Sequence, residues 1–221
     1  MNDVLTMVSA AGPLAAGWGV HGLLMRRRLS AARRDPLSGL WTRAAFESRA
    51  ARTLARRPHV AVLLVDLDGF KAVNDRYGHA AGDEAIHATA TALTDALSER
   101  PGAVAARIGG DEFAAAVPLN DPVALPWLLR ALHDEITAPF RHAGRDLVVG
   151  ASVGASLSSD LTPSGALPVL LRLADEAMYT AKRAGGGWHY PAACVPAVTT
   201  TAGRRTGRPG THHSPHRKGA A

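Results

Sequence analysis

The stretch Val104-Ala105-Ala106-Arg107-Ile108-Gly109-Gly110-Asp111-Glu112-Phe113-Ala114-Ala115-Ala116-Val117 decides how the chain folds. Two short apolar runs, Val104 to Ile108 and Phe113 to Val117, flank Gly109-Gly110-Asp111-Glu112. Glycines at that point are expected to take the positive backbone angles of a tight hairpin, so the runs read as two antiparallel strands. Upstream, Val60-Ala61-Val62-Leu63-Leu64-Val65 is apolar and rich in β-branched residues, which suits a strand buried on both faces. It exits into Asp66-Leu67-Asp68, where alternation sends both carboxylates to one face and Leu67 into the core. A lone Asp-x-Asp is more often a solvated strand end. Here a second acidic pair, Asp111 and Glu112, sits on a glycine bend, and if the hairpin lies beside the Val60 strand the two sites converge. Magnesium suits such a place, because it takes one or two carboxylates and completes its shell with phosphate oxygens and water.

Working outward, Asp35-Pro36-Leu37-Ser38-Gly39-Leu40 is a turn of small residues, and a helix is expected from Arg43 to Arg57, stopped by Pro58. A short helix from Phe70 to Tyr77 precedes a longer one after Gly82-Asp83, where Ile86, Ala90, Leu93 and Leu97 form an apolar stripe. Further elements are expected as a helix from Pro122 to Ala138, a strand from Asp146 to Leu157, and a helix from Ala166 to Arg183. In the last, Leu170, Ala174, Ala177, Met178 and Ala181 face inward. The sum is an α/β (α+β) fold with a mostly antiparallel central sheet flanked by helices. One such domain, residues 35–190, accounts for most of a 221-residue chain, which is too short for two.

The net charge of +6 would suggest a nucleic-acid or anionic-membrane partner if it were spread over the fold. It is concentrated at the ends: five arginines between Arg26 and Arg34, and five basic residues between Arg204 and Lys218. Residues 4–25 carry no formal charge and are long enough to cross a bilayer, with the arginines behind them holding the rest in the cytoplasm. The alternative is a surface or dimer-forming helix, since Pro13, His21 and several glycines dilute the apolar character. Asp3 argues against a cleaved secretory signal. Residues 191–221, a basic tail rich in Thr, Gly, Pro, His and Arg, read as disordered. That tail lacks aromatics to stack on bases, so no specific nucleic acid is expected. Cys194 is the lone cysteine, which excludes a disulfide framework or a cysteine-rich zinc site and fits a reducing compartment.

Taken together, Asp66-Leu67-Asp68-Gly69-Phe70-Lys71, Asn74-Asp75-Arg76-Tyr77-Gly78-His79, Gly82-Asp83 and Arg107-Ile108-Gly109-Gly110-Asp111-Glu112-Phe113 resemble the GGDEF domain of diguanylate cyclases, in order and in spacing. The resemblance implies a nucleotide cyclase or palm-like fold that condenses two GTP molecules into cyclic di-GMP. It implies that Asp66, Asp111 and the carbonyl of Leu67 hold two Mg2+ (or Mn2+) ions over the triphosphate, and that Glu112 helps activate the attacking 3′-hydroxyl. By the same resemblance Asn74 and Asp83 read guanine, Lys71 and Lys182 contact phosphates, Arg107 stabilises transition-state charge, and Phe70, Gly109 and Gly110 belong to the substrate site. The chemistry agrees, since a carboxylate accepts from the N1–H and exocyclic amine of guanine, a pair that adenine lacks. Taken singly, each basic residue could be a solvated side chain, and Asn74 or Asp83 a helix cap or turn residue. One such domain presents one GTP, so the resemblance implies a homodimer, with residues 1–34 as the visible candidate for bringing chains together.

The chain departs from the family pattern in two places that matter. Where an arginine usually follows the Ala-Lys-x-x-Gly stretch of the last helix, this chain has Gly186, within Ala181-Lys182-Arg183-Ala184-Gly185-Gly186-Gly187. One triphosphate contact is then missing unless Arg183 replaces it, which keeps open a catalytically weak domain that binds GTP or a partner protein as a regulator. The Arg-x-x-Asp of the family's product-inhibition site reads Arg100-Pro101-Gly102-Ala103, so no product feedback is expected there. Ser38 and Thr42 in the opening turn are milder changes.

Overall fold

The structure, a computed structural model, describes residues 33–160 and 167–191. The charge-free segment 4–25 and the tail beyond Pro191, read above as an N-terminal hydrophobic helix and a disordered end, lie outside those residues. No helix among the described residues is long and apolar enough to cross a membrane.

The apolar run expected to be a doubly buried strand is the centre of the sheet. Strand β2 (Val60–Asp68) is buried from Val60 through Val65 because both its faces are covered. It pairs antiparallel with β4 (Glu112–Pro118) on one side and β7 (Gly150–Leu157) on the other. Strand β3 (Val104–Arg107) completes the expected hairpin with β4. Two short strands, β1 (Trp41–Thr42) and β8 (Gly187–His189), add in parallel at the edges, giving the order β1-β3-β4-β2-β7-β8. A separate ribbon joins β5 (Phe140–His142) to β6 (Arg145–Leu147).

Alternation along β2 sorts the core into two layers. Val60, Val62 and Leu64 pack with Phe46 and Ala50 of α1 (Arg43–Leu54) and with Leu170 and Ala174 of α5 (Leu167–Arg183). Ala61, Leu63, Val65 and Leu67 pack with Ile86 and Leu93 of α3 (His79–Leu97) and with Leu129 and Leu132 of α4 (Leu125–Ile136). Truncating a fully buried leucine such as Leu63 to alanine would cost about 2 to 5 kcal/mol. The same parity carries Asp66 and Asp68 onto the α5 side at the strand exit, while Leu67 is buried, as expected. Helix α5 lies hard against the sheet there. A Cβ on Gly154 would stand 2.0 Å from the Ala174 carbonyl oxygen, so only glycine fits beneath it.

The sequence-based bounds shift in four places. Helix α1 ends at Leu54, and the chain turns through Ala55 to Arg57 instead of staying helical to Arg57. Helix α2 (Phe70–Tyr77) has its expected bounds, but α3 follows at once from His79, because Gly78 at φ 85° breaks one helix and starts the next. Gly82 and Asp83 therefore lie inside α3. Residues Pro122–Ala124 form a 3-10 turn, capped by the Asp121 side chain on the Val123 N–H, before α4 begins. The single strand expected from Asp146 to Leu157 is two, with β6 closing the ribbon before β7 enters the sheet.

Candidate active site

The site grows from the end of β2 and the bend between β3 and β4. In register, Asp66 stands opposite Glu112 of β4 and opposite Ser152 of β7. The N–H of Leu67 donates to the Asp111 carbonyl at 3.2 Å, which ties the strand exit to the bend. Inside the bend, the N–H groups of Ile108 and Gly109 donate to the Glu112 carbonyl at 2.9 and 3.3 Å. The expectation of positive backbone angles at the two glycines is corrected here: neither Gly109 nor Gly110 has φ in that region. Gly109 is needed for room instead. A Cβ there would stand 2.4 Å from Glu112 Oε2, so the Glu112 side chain folds over bare backbone.

The bend is held from outside by Arg107. Its Nε and one terminal nitrogen donate to the Gly110 carbonyl at 3.1 and 2.7 Å, and the other terminal nitrogen donates to Asp35 Oδ1 at 3.1 Å. The same Asp35 oxygen accepts from the Ser38 N–H at 2.8 Å and the Ser38 hydroxyl at 2.7 Å. Partial burial alone would raise the Asp35 pKa. The Ser38 bonds and the Arg107 guanidinium outweigh it and hold the carboxyl below the usual carboxylate range. Asp35 is thus a positioning residue that sequence reasoning passed over as turn chemistry. Its signal was an aspartate three residues before a serine, the pattern of a side chain closing its own turn.

Lys182, near the end of α5, reaches across to the strand exit and donates to Asp66 Oδ1 at 2.6 Å, with the Asp66 side chain 14% exposed. Its pKa is raised, first by that hydrogen bond, against a smaller opposing effect of burial, and then by the charges of Asp66, Asp68 and Asp111. Lys182 thus touches Asp66 and feels the charges of Asp68 and Asp111 nearby. Asp68 is fixed separately: the buried Ser152 hydroxyl lies 3.0 and 2.9 Å from its two oxygens. Ser152 is the second positioning residue that the sequence did not signal, since only strand register brings it to Asp68.

Among the described residues no cluster of three or more His, Cys, Asp or Glu side chains forms a ready cation cage. The donor set at the strand exit is nevertheless of the right kind. Asp66 already carries a cationic group, and hard carboxylate oxygens suit a magnesium shell that phosphate and water complete. In kind, these donors fit a hard divalent cation.

A second cluster lies on α2 and α3. The Asn74 carboxamide packs against Gly82, where an added Cβ would come 2.1 Å from Asn74 Oδ1. This sets Asn74 beside the residue preceding the exposed Asp83. Neither residue serves as a helix cap: α2 and α3 are preceded by Gly69 and Gly78, and neither start has a side-chain cap. Phe70 opens α2 half-buried against the core, and Lys71 beside it is exposed. Gly186 has φ 102°, and a Cβ there would stand 3.0 Å from Asp68 Oδ2, so the missing arginine would have to start from a strained backbone against a carboxylate. Arg183 instead lies over the Tyr179 ring, 6.0 Å from its centroid. Arg100 lines a cavity of about 600 Å³ together with Arg57, Asp95 and Glu99.

Comparison with known proteins matches this arrangement. Residues 32–187 match the family described as diguanylate cyclase, GGDEF domain. An uncharacterised 19.3 kDa protein of Streptomyces ambofaciens is 48% identical over 166 residues, 75% of this chain and 87% of its own length. Diguanylate cyclase DgcP of Pseudomonas aeruginosa is 36% identical over 68% of this chain, which spans about a fifth of that relative's length (22%). Among solved structures, a sensory box/GGDEF family protein from Caulobacter crescentus superposes with TM-score 0.63 at 35% identity, covering 70% of this chain and all (100%) of the other. The GGDEF domain of DgcB from the same species, solved with c-di-GMP, gives TM-score 0.63 at 28% identity over 70% of this chain and 90% of its own. With the family match extending over most of the chain, this protein belongs to the GGDEF diguanylate cyclase family.

Proposed function

We propose that the chain makes cyclic di-GMP from two GTP molecules, with release of two pyrophosphates, across a homodimer whose two sites face each other. The strand exit and the bend meet, with Asp66 opposite Glu112, the Leu67 N–H on the Asp111 carbonyl and Lys182 on Asp66, and this supports the reading. Two magnesium or manganese ions, when bound, supply charge neutralisation at the triphosphate and the α-phosphorus. Asp66, Asp111 and the Leu67 carbonyl would hold them. Lys182 then leaves Asp66 for a phosphate, and Lys71 takes another. Glu112, folded over Gly109, accepts the proton of the attacking 3′-hydroxyl. Gly110, with open space where a Cβ would be, lets the triphosphate approach the bend beside Gly109, which Arg107 fixes through the Gly110 carbonyl while adding positive charge nearby. Asn74 and Asp83 take the guanine edge, beside Phe70. Residues 35–190 act as the cytoplasmic catalytic domain, and residues 1–34 bring chains together by lying in a membrane or by pairing.

Purified protein incubated with GTP and magnesium is expected to yield cyclic di-GMP at a rate rising more than linearly with protein concentration, and ATP is expected to be rejected by about a thousandfold or more. Asp111→Ala should be silent. The bare Gly186 favours a second reading, a weak domain that binds GTP as a regulator. Tight GTP binding by the wild type with no product would establish that reading in place of the first. With Ala103 where the family's product-binding carboxylate stands, added cyclic di-GMP should leave the rate unchanged. Inhibition relieved by Arg100→Ala would contradict this.

A further inference from the structure

A strongly charged surface is left over once the site is accounted for. Arg33, Arg34, Arg49, Arg52, Arg56 and Arg57 form one face along α1, the turn that follows it and the segment before β1. Arg33, Arg49 and Arg52 line a cavity of about 230 Å³, and Arg49, Arg52, Arg56 and Arg57 line a neighbouring one of about 260 Å³. None of the six is in an ion pair with a described residue. Asp35 is held by Arg107 and Ser38, Glu47 lies about 200° around α1 from Arg49, and Asp95 and Glu99 line a separate cavity beside Arg57 without an ion pair to it. Burial and the charges of Arg52, Arg34 and Arg33 lower the Arg49 pKa, so the cluster repels itself. The rest of the chain offers no relief, because the segments outside the described residues contain a single acidic side chain, Asp3.

We infer that this arginine face is a docking surface for an anionic phospholipid membrane. The charge of the cluster suits an external polyanion, and two observations favour lipid over nucleic acid. The guanidinium carbons of Arg34 and Arg49 lie 3.6 and 3.5 Å from the centroid of the Trp41 ring, so they occupy its opposite sides and leave no aromatic face for a base to stack on. The face also begins eight residues after the charge-free stretch 4–25, within about 28 Å of it at full extension, with Arg26, Arg27 and Arg28 between. A hydrophobic segment followed by a run of arginines that continues onto a folded surface matches a bilayer with anionic headgroups.

The test uses the full chain and vesicles of phosphatidylcholine alone or mixed with phosphatidylglycerol. The termini carry arginines of their own, so the α1 variant reads the face. Wild type should prefer the anionic vesicles, and the combined substitution Arg52→Gln, Arg56→Gln, Arg57→Gln should weaken that preference by roughly a hundredfold. The charge-matched control Arg130→Gln, Arg141→Gln, Arg172→Gln, on exposed arginines elsewhere, should change it less than about threefold. Melting temperatures near that of the wild type exclude unfolding as the cause. Equal preference in both triple variants, or loss of duplex-DNA retention in the α1 variant with vesicle preference intact, overturns the proposal.

Discussion

Gly109 and Gly110 keep ordinary backbone angles on a bend clamped by Arg107, whereas Gly185, Gly186 and Gly187 have φ of 98°, 102° and 97° where the chain leaves α5 and enters β8. Gly109 is there for space, because the Glu112 carboxylate occupies the volume a Cβ would need, while Gly110 faces open space. The second run is there for backbone freedom, because an L side chain is strained at those angles. The lesson is that the departure at Gly186 is not an isolated loss. An arginine there would need a different path for the loop, and Asp68, pinned by Ser152, stands in its way.

The largest expected effect falls on the bend. Glu112→Gln should keep the fold, as read by circular dichroism, and lower kcat for cyclic di-GMP by about a thousandfold, the scale of a lost general base. Gly109→Ala sharpens the space argument. It should displace the Glu112 carboxylate and cost about ten- to a hundredfold in kcat, while the melting temperature moves little, because the flexible end of Glu112 gives way. A large stability loss with normal kcat would mean that Gly109 serves the backbone after all.

Gly186→Arg addresses the other run. It should destabilise the protein by about 1 to 3 kcal/mol, visible as a lower Tm, and give no gain in turnover. A faster enzyme with unchanged Tm would break the distinction between the two glycine runs. The smallest effect concerns the anchor of the bend. The Asp35 pKa is depressed in the fold, so its contribution to stability is present above about pH 4 and is lost as pH falls through the lower folded value. Asp35→Asn should therefore cost about 1 kcal/mol at neutral pH and converge with wild type in acid, as followed by denaturant unfolding across pH.

Much of this was legible in the sequence, for physical reasons that differ by element. The apolar run of β2 and the stripe of Ile86, Ala90, Leu93 and Leu97 identify themselves by periodicity, and α2 has its expected bounds. The start of α3 was misplaced because Gly82 looks like a helix breaker, whereas it sits inside the helix to admit the Asn74 carboxamide. The strand expected from Asp146 to Leu157 was too long because nothing local separates the ribbon from β7. Within the site, Asp66, Asp111 and Glu112 announce themselves as acids at strand ends. Ser152 at Asp68 and the Asp35–Arg107 link depend on contacts 84 and 72 residues apart in sequence, which no local pattern encodes.

The central claim is that Asp66 and Asp111 share the metal ions of one nucleotide site. Manganese titration followed by electron paramagnetic resonance, in the presence of a non-cyclisable GTP analogue, reads it directly. The account predicts tight manganese binding that depends on the nucleotide and is weakened together by Asp66→Asn and by Asp111→Asn. Binding that survives unchanged in either variant would contradict it.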